Sequence, residues 1–415
     1  MGKNTGTNML APKILASIGE FFYRGKRKFS RERPAALLRA KRILVLRLDK
    51  IGDVVMTSAF LRELRRNAPD ARITLVVNPQ VYPLVEYCPH VNEVLTFDWA
   101  SFVESSRVRR HIHGLRYARR HLWQRSFDLT VIPRWDVDFY HENYLAYYSG
   151  APWRVAYTER TTPSKSQLNA GENRLFTRVI EEYALQHEVA QNLNVIRFLG
   201  GSIRDRRLEL WLTREDESSV ETFLQSQRWR RSAPLIALGI GAGDPKRIWP
   251  LEKYTEVARW LHEQYHAEVL VVGTADEQTS GHHLAEQCGE WVINAIGRSD
   301  LRQTGALLKR CHLFIGNDSG PMHMAVGAGI PVVEISAHPG DGAPDHYNSP
   351  VRFGPWQVPQ RILQPESALD PCIDACEATT PHCIRRITVQ QVQEAVRSLM
   401  TAGTYSSKNT SADMS

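Results

Sequence analysis

"ILVLRLDKIGDVVMTSAFLRELRRNAPDARITLVV", residues 43–77, opens on an unbroken apolar run, passes through a short charged turn, and continues with apolar residues three and four apart before a second apolar run. A strand buried on both faces reads as a continuous apolar stretch, whereas helical spacing marks a helix with one buried face. Strand, helix and strand within 35 residues make a βαβ unit with parallel strands. The turn holds Asp49 and Asp53 on either side of Ile51 and Gly52. Gly52 lets the backbone turn tightly into the helix, which places the Asp53 carboxylate at the helix start. Asp53 is therefore read as either an N-cap or a base, and Asp49, beside Arg47 and Lys50, as a charge-paired structural residue.

The same alternation recurs outward from this unit. Strand-like runs stand at 94–97 and 129–133 ("LTVIP"), then at 235–240 ("LIALGI"), 268–273 ("EVLVVG"), 291–296 ("WVINAI"), 313–316 ("LFIG") and 331–336 ("PVVEIS"). Helical patterns such as "LEKYTEVARWLHEQY" and "DLRQTGALLKR" separate them. The predicted fold class is α/β, with two doubly wound Rossmann-like domains. A chain of 415 residues with 42% hydrophobic content suits two cores of roughly 150 to 200 residues each. The predicted organisation is a basic extension over 1–40, a first domain over 41–205, a second over 206–385, a C-terminal helix over 386–402 packing back across the junction, and a disordered tail over 403–415.

The net charge of +7 is concentrated at one end: residues 1–42 carry eleven Lys or Arg against Glu20 and Glu32, an excess of nine, so the remainder is slightly acidic. "NMLAPKILASIGEFFYRGKRKFSRERP" combines spaced apolar residues with a basic cluster, which suits either an anionic membrane surface or a solvated tail. No nucleic-acid module accompanies it, and nucleic acid is not expected as a partner. No run of 18 apolar residues occurs, nor a signal-like start, so the protein is expected to be cytoplasmic, at the inner face of the cytoplasmic membrane if the basic segment binds lipid.

Ligands in open parallel sheets bind beyond the carboxyl ends of strands, and the unusual residues fall there: "DKIGD", "GAGDPKR", "GTADE", "GNDSGP" and "AHPGDG". In "GNDSGPMHMAVGAG", Ser319 or Asp318 can cap a helix, Gly320 permits close backbone approach, and Pro321 suits the first turn. Such a start favours an anion, and Lys246 and Arg247 on another strand end add cations. A diphosphate-bearing ligand fits both features.

These motifs resemble glycosyltransferase family 9, the bacterial ADP-heptose:lipopolysaccharide heptosyltransferases. The resemblance spans roughly residues 41–400 and rests on the opening βαβ stretch, "HEVAQNLNVIRFLG" (187–200), "GAGDPKRIWP" (241–250), "GNDSGPMHMAVGAGIPVV" (316–333) and "PCIDACEATTPHCIRRITVQQVQEAV" (371–396). It implies a GT-B fold whose two domains face each other across a cleft. It also implies inverting, metal-independent transfer of a heptose or related sugar from a nucleotide-diphosphate donor, ADP-heptose being the family default, to a lipid-linked or other glycan acceptor. By the same resemblance Asp53 is the catalytic base, and Asp318, Ser319, Gly320, Pro321 and His323 form the phosphate and nucleotide loop. Gly273, Asp276 and Glu277 lie in the part that holds the adenosine ribose, while Gly52 and Trp249 belong to the donor-side motifs. The family usually places Lys two residues before the Trp of its K-x-W-P element. Arg247 stands there, with Lys246 one place earlier, and bidentate phosphate contact keeps the role open to Arg.

"PRWDVDFYHENY" (133–144) follows a first-domain strand, so Arg134, Asp136, Asp138 and His141 are candidates for acceptor contact, against the alternative of an ordinary polar loop. His111, His113, His282 and His283 read as surface residues. Cys372, Cys376 and Cys383 crowd near the end beside His382; because adjacent His382 and Cys383 would struggle to share an ion, packed free thiols and no metal are expected. No cofactor is expected. Two rival readings remain: a sugar-nucleotide epimerase of the same fold, which would turn over donor alone, and a non-catalytic nucleotide-sugar-binding protein.

Overall fold

The computed structural model describes residues 39–370, 372, 378 and 380–401. The basic extension up to residue 38, Cys376 and the tail beyond 401 lie outside the described residues. The chain divides into two compact units between Arg206 and Arg207.

The first unit contains six strands, β1 (Arg42–Arg47), β2 (Arg72–Val77), β3 (Glu93–Thr96), β4 (Leu129–Val131), β5 (Trp153–Tyr157) and β6 (Arg178–Ile180), in the order β3-β2-β1-β4-β5-β6. All pairs are parallel, with Ile43 opposite Ile73 on one side and Leu129 on the other. Leu44 and Leu46 of β1 are fully buried and join a core with Leu145, Ala146 and Leu175.

The second unit repeats this topology. β7 (Leu235–Gly239), β8 (Glu268–Val272), β9 (Val292–Asn294), β10 (Leu313–Asn317), β11 (Val332–Ile335) and β12 (Gln360–Leu363) stand in the order β12-β11-β10-β7-β8-β9, again parallel. Counted within its unit, each sheet has the order 3-2-1-4-5-6, which defines a doubly wound Rossmann-like domain. The strand order reverses between β1 and β4 in the first unit and between β7 and β10 in the second. Beyond the carboxyl ends of those strands a crevice opens that main-chain atoms alone do not fill. The C-terminal helix Val389–Thr401 places Val392, Val396 and Leu399 in the core of the second unit, against Val257 and Leu261 of the helix Leu251–Tyr265. Among the described residues no helix is long and apolar enough to cross a membrane.

The helix after β1 is jointed rather than continuous. It runs over Ile51–Met56, yields at Thr57, and resumes over Ser58–Asn67. The Thr57 hydroxyl donates to the Asp53 carbonyl at 2.7 Å, a back-bond that competes with the regular ladder and favours a bend.

Candidate active site

At the first switch point the charged residues form one cluster. Arg47, nearly inaccessible at 1% exposure, forms an ion pair with Asp49 at 2.8 Å and donates to Asp53 at 3.3 Å. Arg134, beyond β4, pairs with Asp49 and with Glu142 at 2.9 Å, and lies over the Tyr140 ring. Glu142 also accepts the Leu48 amide, which ties the end of β1 to the helix Glu142–Tyr148.

Three carboxylates thus share two guanidinium groups, so the cluster favours keeping a proton. Burial and then the Asp49 charge push Asp53 up to about 6, against the opposing pull of Arg47 and Arg134. Burial likewise pushes Glu142 up to about 7, although Arg134 opposes it. Of the three, Asp53 is the open one: its side chain keeps 26% exposure against 2% for Asp49 and 0% for Glu142. A carboxylate that is reachable, aimed at a strand end and poised near neutrality has the properties of a general base.

Asp53 is not an N-cap. Lys50 occupies that position without a side-chain bond, and Asp53 is the third residue of the helix, Ile51 being the first. Asp49 has Arg47 and Arg134 as partners, so the second cation comes from β4 rather than from Lys50.

Of the residues proposed for acceptor contact, Arg134 is held by Asp49 and Glu142, whereas Asp138 and His141 line a cavity while also bonding or stacking locally. Asp136 accepts the Val137 amide and the Thr162 hydroxyl. Asp138 accepts the amides of Tyr140 at 2.8 Å and Asn143 at 2.9 Å. His141 has φ +68 and stacks on Tyr144, with burial pushing its pKa down to about 3, so the ring is neutral.

What the sequence reading missed is the rest of that cavity, about 170 Å³ in volume, whose walls also include Trp99, Phe102, His111, His113, Tyr140 and Glu172. His111 and His113 are therefore not the plain surface residues expected. His111 bonds the Tyr148 hydroxyl at 3.0 Å, and His113 stacks on Phe102. Their helix, Arg107–Tyr117, carries four Arg and two His, yet Gly114 lets it come close: a Cβ there would lie 3.4 Å from the Tyr148 ring. That glycine, in a helix rich in Arg and His, was the available signal. His282 and His283 are exposed, as expected of surface residues.

At the second switch point, Asp244 accepts the Lys246 amide at 3.0 Å and so folds the short 3₁₀ turn Pro245–Arg247. Arg247 donates to Asp318 at 3.0 Å and to Asn348 at 3.3 Å, and His323 stands 3.7 Å from the other Asp318 oxygen. Burial alone would raise Asp318, but His323 close by and the charge of Arg247 outweigh it and hold the group below the usual carboxylate range. Nearby Glu334, 1% exposed within β11, is raised well above that range by burial and by the Asp318 charge.

Ser319 stands at the N-cap of the helix Gly320–Gly327, with Pro321 in its first turn. Its hydroxyl accepts nothing from that turn and donates back to the Asn317 carbonyl at 3.1 Å. The positive end of the helix dipole therefore keeps its attraction for an anion.

Trp249 anchors the loop from within. It is 0% exposed, its amide donates to Asn317, and its indole donates to the Ile387 carbonyl. Glu277 caps its own turn through Thr274 and nests against two glycines: a Cβ on Gly241 would lie 2.3 Å from the Glu277 carboxyl carbon, and one on Gly273 would lie 2.9 Å from its oxygen. Asp276 beside it is exposed.

Solved structures share this architecture. The family 9 glycosyl transferase from Veillonella parvula DSM 2008 aligns with a TM-score of 0.70 at 23% identity, over 87% of this chain and 97% of that one. E. coli ADP-heptose lps heptosyltransferase II aligns with a TM-score of 0.62 at 20% identity, over 86% and 98%. Two Rossmann-like domains of this kind make up the GT-B fold. The family model for glycosyltransferase family 9 (heptosyltransferase) matches residues 169–377, and the chain belongs to that family. Among curated relatives, lipopolysaccharide heptosyltransferase 2 of E. coli K12 is 24% identical over 313 residues, 73% of this chain and 84% of that protein.

Proposed function

We propose that this enzyme transfers a heptose, with inversion and without a catalytic metal, from ADP-heptose to a hydroxyl of a lipopolysaccharide-core acceptor. The observation that carries the reading is the division of labour between the two switch points: a reachable carboxylate raised toward neutrality in one unit, and a guanidinium beside a helix N-terminus in the other. The names of the relatives, heptosyltransferases of lipopolysaccharide, support the choice of donor and acceptor.

In this mechanism Asp53 takes the proton of the acceptor hydroxyl as the oxygen attacks the anomeric carbon. The bond from that carbon to the diphosphate oxygen breaks, and the charge that develops on ADP is met by Arg247, with Lys246 adjoining, and by the Ser319–Gly320 helix start. Asp318 and His323 orient Arg247. Glu277 and the glycines beside it, Gly241 and Gly273, shape the place of the adenosine ribose, and Asp276 supplies an exposed carboxylate at its rim. The first unit holds the acceptor, for which the aromatic and histidine cavity lined by Tyr140 and Trp99 offers a wall on which sugar rings can stack.

A thermal-shift series with sugar nucleotides tests the donor. A ligand bound only by the folded state raises the melting temperature with the logarithm of its saturation. The expected order places ADP sugars above UDP, GDP and dTDP sugars, and an equal or larger shift with a pyrimidine nucleotide sugar would overturn the ADP assignment.

The basic stretch over residues 1–40 suits contact with anionic lipid at the inner membrane face, where such an acceptor is held. Each basic residue near the surface contributes about 1 kcal/mol, reduced by salt. Sedimentation with anionic liposomes should therefore capture the full chain and lose most of the chain shortened by those residues. Equal capture of both would contradict the membrane role.

A further inference from the structure

Cys372, His382 and Cys383 converge in the second unit, outside the groups assigned to catalysis: one donor atom from each lies within 4.8 Å of the others. We propose that they form a structural site for a zinc-class divalent metal, held by two thiolates and the His382 Nδ1.

The distances carry the proposal. Bonds of about 2.3 Å to sulfur and about 2.0–2.1 Å to nitrogen at a tetrahedral angle put the two ligand atoms roughly 3.6 Å apart. His382 Nδ1 and Cys383 Sγ stand 3.6 Å apart. Neighbouring positions in the chain, which read as an obstacle to sharing an ion, therefore present their donors at the span a tetrahedral centre needs. The φ, ψ pair of −128° and −85° at His382 turns its ring back toward the following sulfur.

Leu369 organises both cysteines. Its carbonyl accepts the Cys372 amide at 2.7 Å, and its own amide donates to Cys383 Sγ at 3.4 Å. A peptide N–H directed at sulfur stabilises thiolate charge and is the kind of outer partner that orients metal ligands. Both cysteines are buried and free, while His382 remains partly open, which gives an ion a route in. A thiol to imidazole hydrogen bond would account for one of these contacts but not for the third donor.

The ligand set identifies the metal class. Two sulfurs and one imidazole select zinc or a similar borderline-soft ion over magnesium or calcium, which require oxygen. The role is a clamp. The three ligands share a cavity of about 80 Å³ with Asp244, Lys246 and Arg247, and Cys383 opens the turn Cys383–Arg386 just before Ile387, whose carbonyl holds Trp249 and Lys253. A metal here would fix the wall beside Arg247 without touching substrate.

The test uses the full-length protein, stripped with chelator under reducing conditions, re-equilibrated with zinc sulfate, desalted and assayed by plasma mass spectrometry. About one zinc per chain is expected, with a fall to about a tenth of that or less in Cys372→Ser and Cys383→Ser and full retention in Cys288→Ser. Substitution by cobalt provides a readout that does not depend on a variant folding: wild type should show thiolate-to-cobalt charge transfer with the visible bands of a tetrahedral ion. Re-equilibrated wild type with less than about a tenth of an equivalent of zinc and no such spectrum would overturn the site. So would a Cys372–Cys383 disulfide in freshly purified, unreduced protein.

Discussion

Asp53→Asn is expected to leave the fold and the donor affinity intact while lowering transfer by roughly 100- to 10,000-fold, the range for removing a general base. The substitution keeps the shape of the side chain and a hydrogen-bonding oxygen for Arg47, 3.3 Å away, but removes the ability to accept a proton. Because Asp53 makes no capping bond, loss of helix stability does not offer a competing explanation. A base acts when deprotonated, and its pKa stands at about 6, so the wild-type rate should fall tenfold per unit as the pH drops below that value and level off above it. In Asp53→Asn that acid limb should vanish. Asp49→Asn is the control: it leaves two buried guanidinium groups short of a counter-charge, so about 3 kcal/mol of stability should be lost, seen in denaturant melts. Transfer by the folded fraction of Asp49→Asn should fall much less than in Asp53→Asn. If Asp53→Asn transfers at near the wild-type rate with saturating donor and acceptor, Asp53 is not the base. Asp136 and Asp138 would be poor replacements, since both carboxylates already accept main-chain amides.

Arg247→Ala should weaken donor binding and slow transfer together, by about 100-fold or more in kcat/KM, as for other preorganised charge stabilisers. The side chain is 20% exposed and is aimed by Asp318 and Asn348, so it reaches an incoming diphosphate without reordering. Lys246→Ala should be milder, because its place in the turn is set by its amide on Asp244, a bond that alanine preserves. Calorimetry with ADP, paired with steady-state rates, separates the two variants. A larger loss in Lys246→Ala would shift the diphosphate cation by one residue.

Most of the strand framework was legible because buried parallel strands are solid apolar runs. β1, β2, β7, β8, β10 and β11 were visible for that reason. β5 was not: Arg154 interrupts its run, yet is buried, because its guanidinium donates to the carbonyls of Leu175 and Ala151. β6 and β12 were hidden because each holds only two apolar residues beside Arg178 or Arg361 and so makes no apolar run. No local pattern announces such strands; their neighbours in the sheet create them.

The site divided along the same line. Asp53, Arg247 and the loop 318–323 were visible because glycines and charges punctuate strand ends. Glu142 and Glu334 were not, since one sits inside a helix start and the other inside an apolar strand, and only the fold shows the charges that surround them. Trp249 was placed among donor residues by motif, whereas its full burial makes it the peg on which the Arg247 turn hangs. The convergence of Cys372 with His382 and Cys383 was likewise hidden, because it depends on a turn at Leu369 that pairs no regular elements.

The most direct measurement is a product assay in which purified wild-type enzyme receives ADP-heptose with and without a lipopolysaccharide-core acceptor, while ADP release and acceptor mass are followed together. The account predicts ADP release that depends on acceptor, matched by gain of one heptose on the acceptor, with both signals lost in Asp53→Asn. Conversion of ADP-heptose to an isomeric sugar nucleotide in the absence of acceptor, with no mass gained when acceptor is added, would contradict it.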